Sequence, residues 1–233
     1  MFEGSRVIVT GGAGALGRAV VTHFEDAGAR VAVIDYSDEL LSESFPAQKE
    51  ANLYVAADLT SREACAGAVA TITDAFGGID VLANIAGGFA MGDPVHETSD
   101  ETWNFLFDLN TRSVMNMAAA VVPTMVAAGH GKIVNVAARA ALAGVGTMGA
   151  YTASKAAVMR LTESMAQELR GQGINVNCIM PSMIDTPRNR ADMPDADFSQ
   201  WVAPADLASV VGFLASDAAR AVHGAAVAVD GLS

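Results

Sequence analysis

The chain has 233 residues, of which 52% are hydrophobic and 17% are charged, and its formal net charge is −12. This composition excludes an intrinsically disordered protein, and the length fits one large α/β domain. The negative charge argues against a nucleic-acid partner, because such a surface repels a phosphate backbone.

Short apolar runs alternate with longer segments of helical periodicity along the whole chain. Strands that are apolar on both faces are typical of a parallel sheet covered by helices on both sides. We therefore predict a single-domain, doubly wound α/β fold over residues 1–233, with a parallel seven-stranded sheet. The predicted strands are Arg6–Thr10, Val31–Asp35, Leu53–Ala56, Val81–Ile85, Lys132–Val136, Asn175–Met180 and Ala225–Val229.

Local patterns also place several helices. Two threonines are followed three residues later by a glutamate, which is the spacing of a capping box, and Pro204 suits the first turn of the last helix. The capping pairs are Thr60 with Glu63 and Thr98 with Glu101. The longest predicted helices are Asp100–Ala128 and Ala150–Arg170. Residues 182–203 lack periodicity and follow a strand, so we predict a short lid over a ligand there.

The remaining composition favours a cytoplasmic protein. Cys65 and Cys178 lie in apolar runs and are expected to be buried thiols of a reducing compartment. The sequence shows neither a signal-peptide pattern nor an apolar stretch suited to a membrane. The four histidines have no ligand spacing, so we expect no metal site.

The first predicted strand ends in a glycine-rich turn, TGGAGALG at residues 10–17, and a helix follows. Glycines let the backbone approach a pyrophosphate, and the helix N-terminus supplies free N–H groups and a partial positive charge. This strand–turn–helix context predicts a dinucleotide site. The residues expected to contact the cofactor here are Gly11, Ala13, Gly14, Ala15, Leu16 and Gly17.

Asp35 stands at the end of the second predicted strand, 18 residues after Gly17. A carboxylate at this position accepts hydrogen bonds from a ribose diol and repels a 2′-phosphate, which favours NAD(H) over NADP(H). A solvated loop aspartate or a helix cap remains an alternative. Asp58 follows the third strand and is a candidate for the adenine edge, although a capping role explains it nearly as well.

Tyr151 and Lys155 are four residues apart at the start of a predicted helix, so they share one face. A nearby ammonium favours the phenolate, and we therefore expect it to lower the pKa of Tyr151 and make this side chain a proton donor and acceptor near neutral pH.

With these motifs in this order, the chain resembles the short-chain dehydrogenase/reductase family and its NAD(P)-binding Rossmann fold over nearly its whole length. The resemblance implies that Tyr151 is the catalytic acid/base, that Lys155 binds the nicotinamide ribose and tunes the phenol, and that Asn110 holds a water in the proton relay. The family's middle turn glycine is replaced by Ala15, which we expect to leave cofactor binding intact. The further residues implied to line the cofactor site are Leu59, Asn84, Ala86, Gly87, Pro181, Ile184 and Thr186.

One departure from the family concerns chemistry. The family's catalytic serine lies about 13 residues before its tyrosine, and this distance leads to Ala138. Loss of a hydroxyl that polarises a carbonyl costs about 3–4 kcal/mol of transition-state stabilisation. Either carbonyl chemistry has been lost, or the substrate is electrophilic enough to react without the serine. Thr147 could also supply a hydroxyl from the preceding loop.

Two segments favour the electrophilic substrate. Residues 138–151 and 185–201 resemble dihydropteridine reductase, a branch of the family that uses NADH and lacks the serine. In this interpretation Met183, Met193, Phe198 and Trp201 belong to the lid, and Trp201 stacks on a flat substrate, although ordinary loop packing would also explain them. Arg188 and Arg190 could meet an acidic substrate or be solvated.

The predicted function is hydride transfer between NAD(H) and a small molecule with an activated C=N or carbonyl group. A dinucleotide-binding sensor or scaffold without catalysis, or a generic ketone or 3-oxoacyl reductase, are the alternatives. The family resemblance further implies a homodimer or homotetramer.

Overall fold

The structure is a computed structural model that describes all 233 residues. It contains one seven-stranded sheet in which every neighbouring pair is parallel, in the order β3-β2-β1-β4-β5-β6-β7. The predicted sheet is confirmed. The strands are β1 Arg6–Thr10, β2 Arg30–Asp35, β3 Leu53–Ala56, β4 Val81–Asn84, β5 Gly131–Val136, β6 Ile174–Pro181 and β7 Ala226–Val229.

Eight α-helices cover the two faces of the sheet. The helices are α1 Ala15–Asp26, α2 Asp38–Ser44, α3 Arg62–Phe76, α4 Asp100–Phe107, α5 Ser113–Ala128, α6 Gly149–Leu169, α7 Pro187–Asp192 and α8 Pro204–Ala215. Pro204 opens α8, as predicted. None of these helices combines the length and the apolar character needed to cross a bilayer.

The hydrophobic core consists of two main layers, one on each face of the sheet. On one face, Phe24 of α1 and Val211 of α8 pack against the strands. On the other, Ile72 of α3, Val121 of α5 and Ala166 of α6 do so. Burial of both sheet faces explains why the strands are almost continuously apolar.

Two helix starts differ from the prediction by one residue. Ser61 caps α3 by accepting a hydrogen bond from the backbone N–H of Ala64, and Ser99 caps α4 in the same way for Thr102. Thr60 instead donates its hydroxyl to Asp58. The capping pairs predicted at Thr60 and Thr98 are therefore wrong, because a neighbouring serine takes the cap in each case.

The single long helix predicted over Asp100–Ala128 is also wrong. It consists of α4 and α5, joined by a π-helical turn at Asp108–Arg112. Such wide turns occur frequently at functional sites. This one contains Asn110, whose side chain is 1% exposed.

The segment between β6 and α8 has more structure than the loop predicted there. It contains α7 and a 3₁₀ turn at Phe198–Gln200. A parallel bridge between Ile184 and Val202 ties its two ends together. The segment therefore begins and ends beside the carboxyl end of the sheet.

Candidate active site

The glycine-rich turn lies where the sheet order reverses between β1 and β4, at the carboxyl ends of these strands. Gly11 has a φ of +63°, and a Cβ atom added there would lie 2.7 Å from the Cα of Ala86. A Cβ on Gly17 would overlap the carbonyl oxygen of Gly11 and lie 2.7 Å from the Cα of Gly12. The close packing of turn, strand and helix therefore requires glycine at both positions.

The start of α1 is free to receive an anion. Gly14 precedes the helix without any side-chain cap, whereas α2, α3 and α4 each begin with a serine that caps a backbone N–H. Its first N–H groups, including those of Ala15 and Leu16, have no partner within the helix. An uncapped helix start behind a tight glycine turn fits a dinucleotide pyrophosphate.

Asp35 faces this turn from the end of β2. One of its carboxylate oxygens accepts a hydrogen bond from the Ala13 N–H at 2.9 Å, and the other accepts one from the Tyr36 N–H at 2.8 Å. The Arg18 guanidinium donates to the carbonyl oxygen of Ala13. Asp35 is therefore held in place at the predicted ribose position, and Arg18 bonds to the carbonyl of the same residue, Ala13.

A groove of about 370 Å³ continues from this point, and its walls include Gly11, Asp35, Asp58, Leu59 and Ala86. Five of the predicted cofactor residues thus line one groove, and its size suits an adenosine. Asp58 also has a local role, because one of its oxygens accepts hydrogen bonds from the Thr60 backbone and hydroxyl.

Asn84 and Ala86 are fixed by contacts within the protein. The Asn84 amide donates to Asn135 on the neighbouring strand β5, and Asn135 in turn donates to Thr162 of α6. The Thr10 hydroxyl accepts from the N–H groups of Ile85 and Ala86. Asn84 thus joins the sheet to α6, while Ala86 packs beside Gly11.

Asn110 connects the loop after β4 with the helix that carries Tyr151. Its Oδ1 accepts from the Gly88 N–H at 2.8 Å, and its Nδ2 donates to the Gly88 carbonyl at 3.0 Å. Nδ2 also donates to the Ser154 hydroxyl at 3.0 Å, and this hydroxyl donates to the Tyr151 carbonyl. Both amide protons are used within the protein, so the side chain acts as a positioning group.

Lys155 is 4% exposed and donates from Nζ to the Val136 carbonyl at 2.9 Å. A Cβ atom at Gly87 would lie 2.8 Å from Oδ1 of Asn110 and 2.9 Å from Nζ of Lys155. These two polar atoms therefore flank Gly87. Burial lowers the pKa of Lys155 to about 8, because the charged amine has lost its water.

The pKa of Tyr151 contradicts the prediction made from the sequence. Burial raises its pKa to about 12, because the phenolate is poorly solvated there. Burial is the only cause of this shift, and no lowering of the pKa by Lys155 offsets it. At neutral pH Tyr151 is therefore a protonated phenol, which is the form that donates a proton.

The position of the family's serine is filled by a buried methyl group. Ala138 is 6% exposed and stands at the end of β5 before a 3₁₀ turn. Thr147 is exposed, has a φ of +61°, and lines a separate cavity of about 60 Å³ whose walls do not include Tyr151. The structure gives no support to Thr147 as a replacement for the serine.

The predicted carboxamide residues lie in the segment after β6. Pro181 ends β6, the Ile184 N–H donates to no acceptor in the protein, and the Thr186 hydroxyl caps α7 by accepting from the Asn189 N–H. The Ile184 N–H and the Thr186 hydroxyl therefore both remain available as hydrogen-bond donors.

The side chains of the predicted lid contact one another. Arg190 makes two hydrogen bonds to Asp185, at 2.5 and 2.7 Å, and lies over the Phe198 ring. Phe198 packs on Trp201 with ring centroids 4.8 Å apart. Arg188 is exposed, with a loose contact of 3.7 Å to Asp192. Loop packing thus accounts for Phe198 and Trp201, and Arg190 is already paired with a carboxylate.

Sequence reasoning missed three residues of this site. Gly88 and Ser154 are the partners of Asn110, and Phe89 packs edge-on against Tyr151 with ring centroids 4.9 Å apart. The only signal for them was proximity in sequence, since Gly88 and Phe89 follow Gly87 directly and Ser154 precedes Lys155.

Comparison with known proteins shows the family of the chain. A family model described as short chain dehydrogenase matches residues 5–197. The chain is 38% identical to a 2-(R)-hydroxypropyl-CoM dehydrogenase from Xanthobacter autotrophicus, over 97% of this chain and 98% of the relative. It is 31% identical to an NAD-dependent glycerol dehydrogenase from Listeria innocua, over 96% and 91%. A 3-ketoacyl-(acyl-carrier-protein) reductase from Brucella melitensis, solved with NADH, superimposes with a TM-score of 0.90 at 27% identity, over 99% and 98%.

Proposed function

The chain belongs to the short-chain dehydrogenase/reductase family, and on this premise we propose that it is an NAD(H)-dependent reductase of small molecules with an activated C=N or carbonyl group. The observation that carries the proposal is the convergence of Asn110 and Lys155 on Gly87, next to the dinucleotide turn, while Ala138 fills the serine position.

The residues present fit a nicotinamide dinucleotide. The uncapped start of α1 would hold the pyrophosphate, Asp35 the adenosine ribose, and the groove beside Asp58 the adenine. Lys155 would hold the nicotinamide ribose, and the Ile184 N–H and Thr186 hydroxyl the carboxamide. When bound, this cofactor supplies the hydride for reduction of the substrate carbon.

We propose NAD(H) in preference to NADP(H), because Asp35 puts a negative charge where a 2′-phosphate would lie. Arg18 is the only basic side chain on this turn, and it already donates to Ala13. The ratio of kcat/KM for NADH to that for NADPH tests this assignment. A preference for NADPH of more than about tenfold would contradict it.

Tyr151 donates its phenol proton to the substrate oxygen or nitrogen while the adjoining carbon is reduced. Its raised pKa keeps this proton in place at neutral pH, so the phenol is in the form that a reduction requires. Lys155 keeps a positive charge beside the site below a pH of about 8. Asn110 holds Gly88 and the Tyr151 helix at a fixed distance from each other.

The absence of a hydroxyl at Ala138 favours an activated substrate. Without that donor, a simple ketone loses about 3–4 kcal/mol of transition-state stabilisation. A quinonoid dihydropterin or a vicinal diketone is already electron-poor, and a hydride with one proton suffices to reduce it. The resemblance of residues 138–151 and 185–201 to dihydropteridine reductase supports this class.

The test is NADH oxidation with quinonoid dihydropterin, quinones, diketones and simple ketones. Tyr151→Phe should abolish turnover and leave NADH binding intact, whereas retained turnover refutes the proton-donor role.

Ala138→Ser should change the rate little with the activated acceptors and raise the rate with simple ketones. A large gain with the preferred acceptor would mean that carbonyl polarisation had been limiting. NADH binding without turnover of any acceptor would instead favour a sensor or scaffold.

We further propose that the protein is a cytoplasmic homodimer or homotetramer, and that residues 182–203 act as a lid. The apolar surface of α4 and α5 supports the oligomer, since Trp103 and Met115 are both exposed there. Sedimentation of the purified protein measures the oligomeric state.

A further inference from the structure

Several large apolar side chains are exposed in the loops that follow three neighbouring strands, β4, β5 and β6. The carboxyl ends of parallel strands lie at the same edge of a sheet, so these loops surround the mouth of the Tyr151 site. Exposed apolar groups that cluster in this way mark a binding surface. The side chains are Phe89 and Met91 after β4, Leu142 and Val145 after β5, and Met183 after β6.

Phe89 has the most direct contact with the reacting group. Its ring meets the Tyr151 ring edge to face, with an interplanar angle of 83°, yet 53% of the Phe89 residue remains exposed. A substrate that accepts the Tyr151 proton therefore binds within reach of the exposed part of this ring.

The position of Phe89 is fixed by the backbone. The preceding residue, Gly88, has both its N–H and its carbonyl bonded to the side chain of Asn110. The backbone that carries Phe89 is therefore anchored, and its ring packs on Tyr151, so an apolar wall for a flat group is present before the substrate binds.

The basic side chains of the same loops are already paired. Of the three arginines after β5 and β6, Arg139 and Arg190 each have a carboxylate within 3 Å, whereas the exposed Arg188 has only a loose contact of 3.7 Å, so two of the three already have a close counter-charge. The pairs are Arg139 with Asp230, Arg188 with Asp192, and Arg190 with Asp185.

We propose that Phe89 is a specificity-determining residue, and that the acceptor carries an uncharged, apolar and preferably aromatic group next to the carbon that is reduced. This inference rests on the proposed reductase function and names its substrate class. A polyol or a charged substituent would leave polar groups against an apolar wall.

A matched pair of acceptors tests it: 1-phenylpropane-1,2-dione and butane-2,3-dione, which share the activated diketone and differ in a phenyl or methyl substituent. The natural sequence should prefer the phenyl compound about tenfold in kcat/KM. Phe89→Ala should lose most of this preference, about tenfold, through a higher KM for the phenyl compound, and Phe89→Leu should be intermediate. Phe213→Ala, which removes an exposed phenylalanine of α8, is the control and should resemble the natural sequence.

Calorimetric binding of both diketones in the presence of NAD+, which cannot reduce them, separates this inference from the reductase proposal. One outcome would be phenyl-selective binding that Phe89→Ala abolishes, without turnover of either compound. It would overturn the reductase function and support the role of Phe89 in binding the phenyl group. Equal binding of the two diketones by the natural sequence would overturn the inference. An equal fall in kcat for both compounds in Phe89→Ala, with unchanged KM values, would also overturn it, since Phe89 would then only shield Tyr151.

Discussion

Replacement of Asn110 by alanine should affect stability and turnover together. The change removes three hydrogen bonds, two to Gly88 and one to Ser154, from a side chain that is 1% exposed. At about 1 kcal/mol for each bond, the free energy of unfolding should fall by about 3 kcal/mol. For a chain of this size, that corresponds to a fall in Tm of about 6–12 °C.

The same change should lower kcat/KM about 100-fold with any accepted substrate. Without Asn110, the loop at Gly88 and the helix turn at Ser154 lose their connection, and a displacement of about 1 Å between reacting groups is enough for such a loss. NADH affinity should change much less, because the glycine turn and Asp35 do not contact Asn110. Thermal unfolding, NADH titration and steady-state kinetics measure the three quantities.

Asn116 provides a matched control. It is also a buried asparagine, on α5, and its amide donates to the carbonyl oxygens of Leu59 and Thr60 on the adenosine side. Asn116→Ala should cost about 2 kcal/mol of stability, weaken NADH binding and leave kcat close to normal. If Asn110→Ala lost stability but kept kcat/KM within threefold, the positioning role would be refuted. If both variants lost kcat equally, general destabilisation would explain the effect.

Three further predictions concern other parts of the molecule. Gly17→Ala should lower NADH affinity at least tenfold in a fluorescence titration, because the added Cβ would overlap Gly11 and displace the start of α1. An unchanged affinity would mean that the helix start does not hold the cofactor. The reductive kcat/KM should decline as the pH rises through about 8, because Lys155 then loses its proton, while Tyr151, with a pKa of about 12, stays protonated; a pH profile that is flat up to pH 10 would contradict this. At acid pH the pair of Asp80 and Arg6 should be the sensitive point: burial alone would raise the pKa of Asp80, but hydrogen bonds from Arg6 and His130 outweigh it and lower the pKa to about 2. The stabilisation of the fold by the ionised Asp80 is therefore complete above pH 3.8 and disappears as the pH falls toward 2. Asp80→Asn should lower the free energy of unfolding by about 1–2 kcal/mol at pH 7, after allowance for solvent screening, and by little at pH 2. Urea unfolding at the two pH values measures this difference.

The sequence by itself determined the features that depend on local chain chemistry. Short, almost continuous apolar runs are buried on both faces when they lie between two helical layers, so all seven strands were predictable. The turn at residues 10–17 and the position of Asp35 followed in the same way, because strand, glycine turn and helix are consecutive in the chain. The sequence also placed Tyr151 and Lys155 on one helix face, because they lie four residues apart.

Only the tertiary structure decided which groups meet across the chain. The partners of Asn110 lie 22 and 44 residues away, and the π-helical turn that aims it at them leaves no periodic signal. The pKa of Tyr151 depends on how much water the fold removes and on where Lys155 points, and the burial effect reversed the direction expected from sequence. The role of Phe89 depends on the fold for the same reason, since the contact of its ring with Tyr151 exists only once the loop after β4 lies against the start of α6.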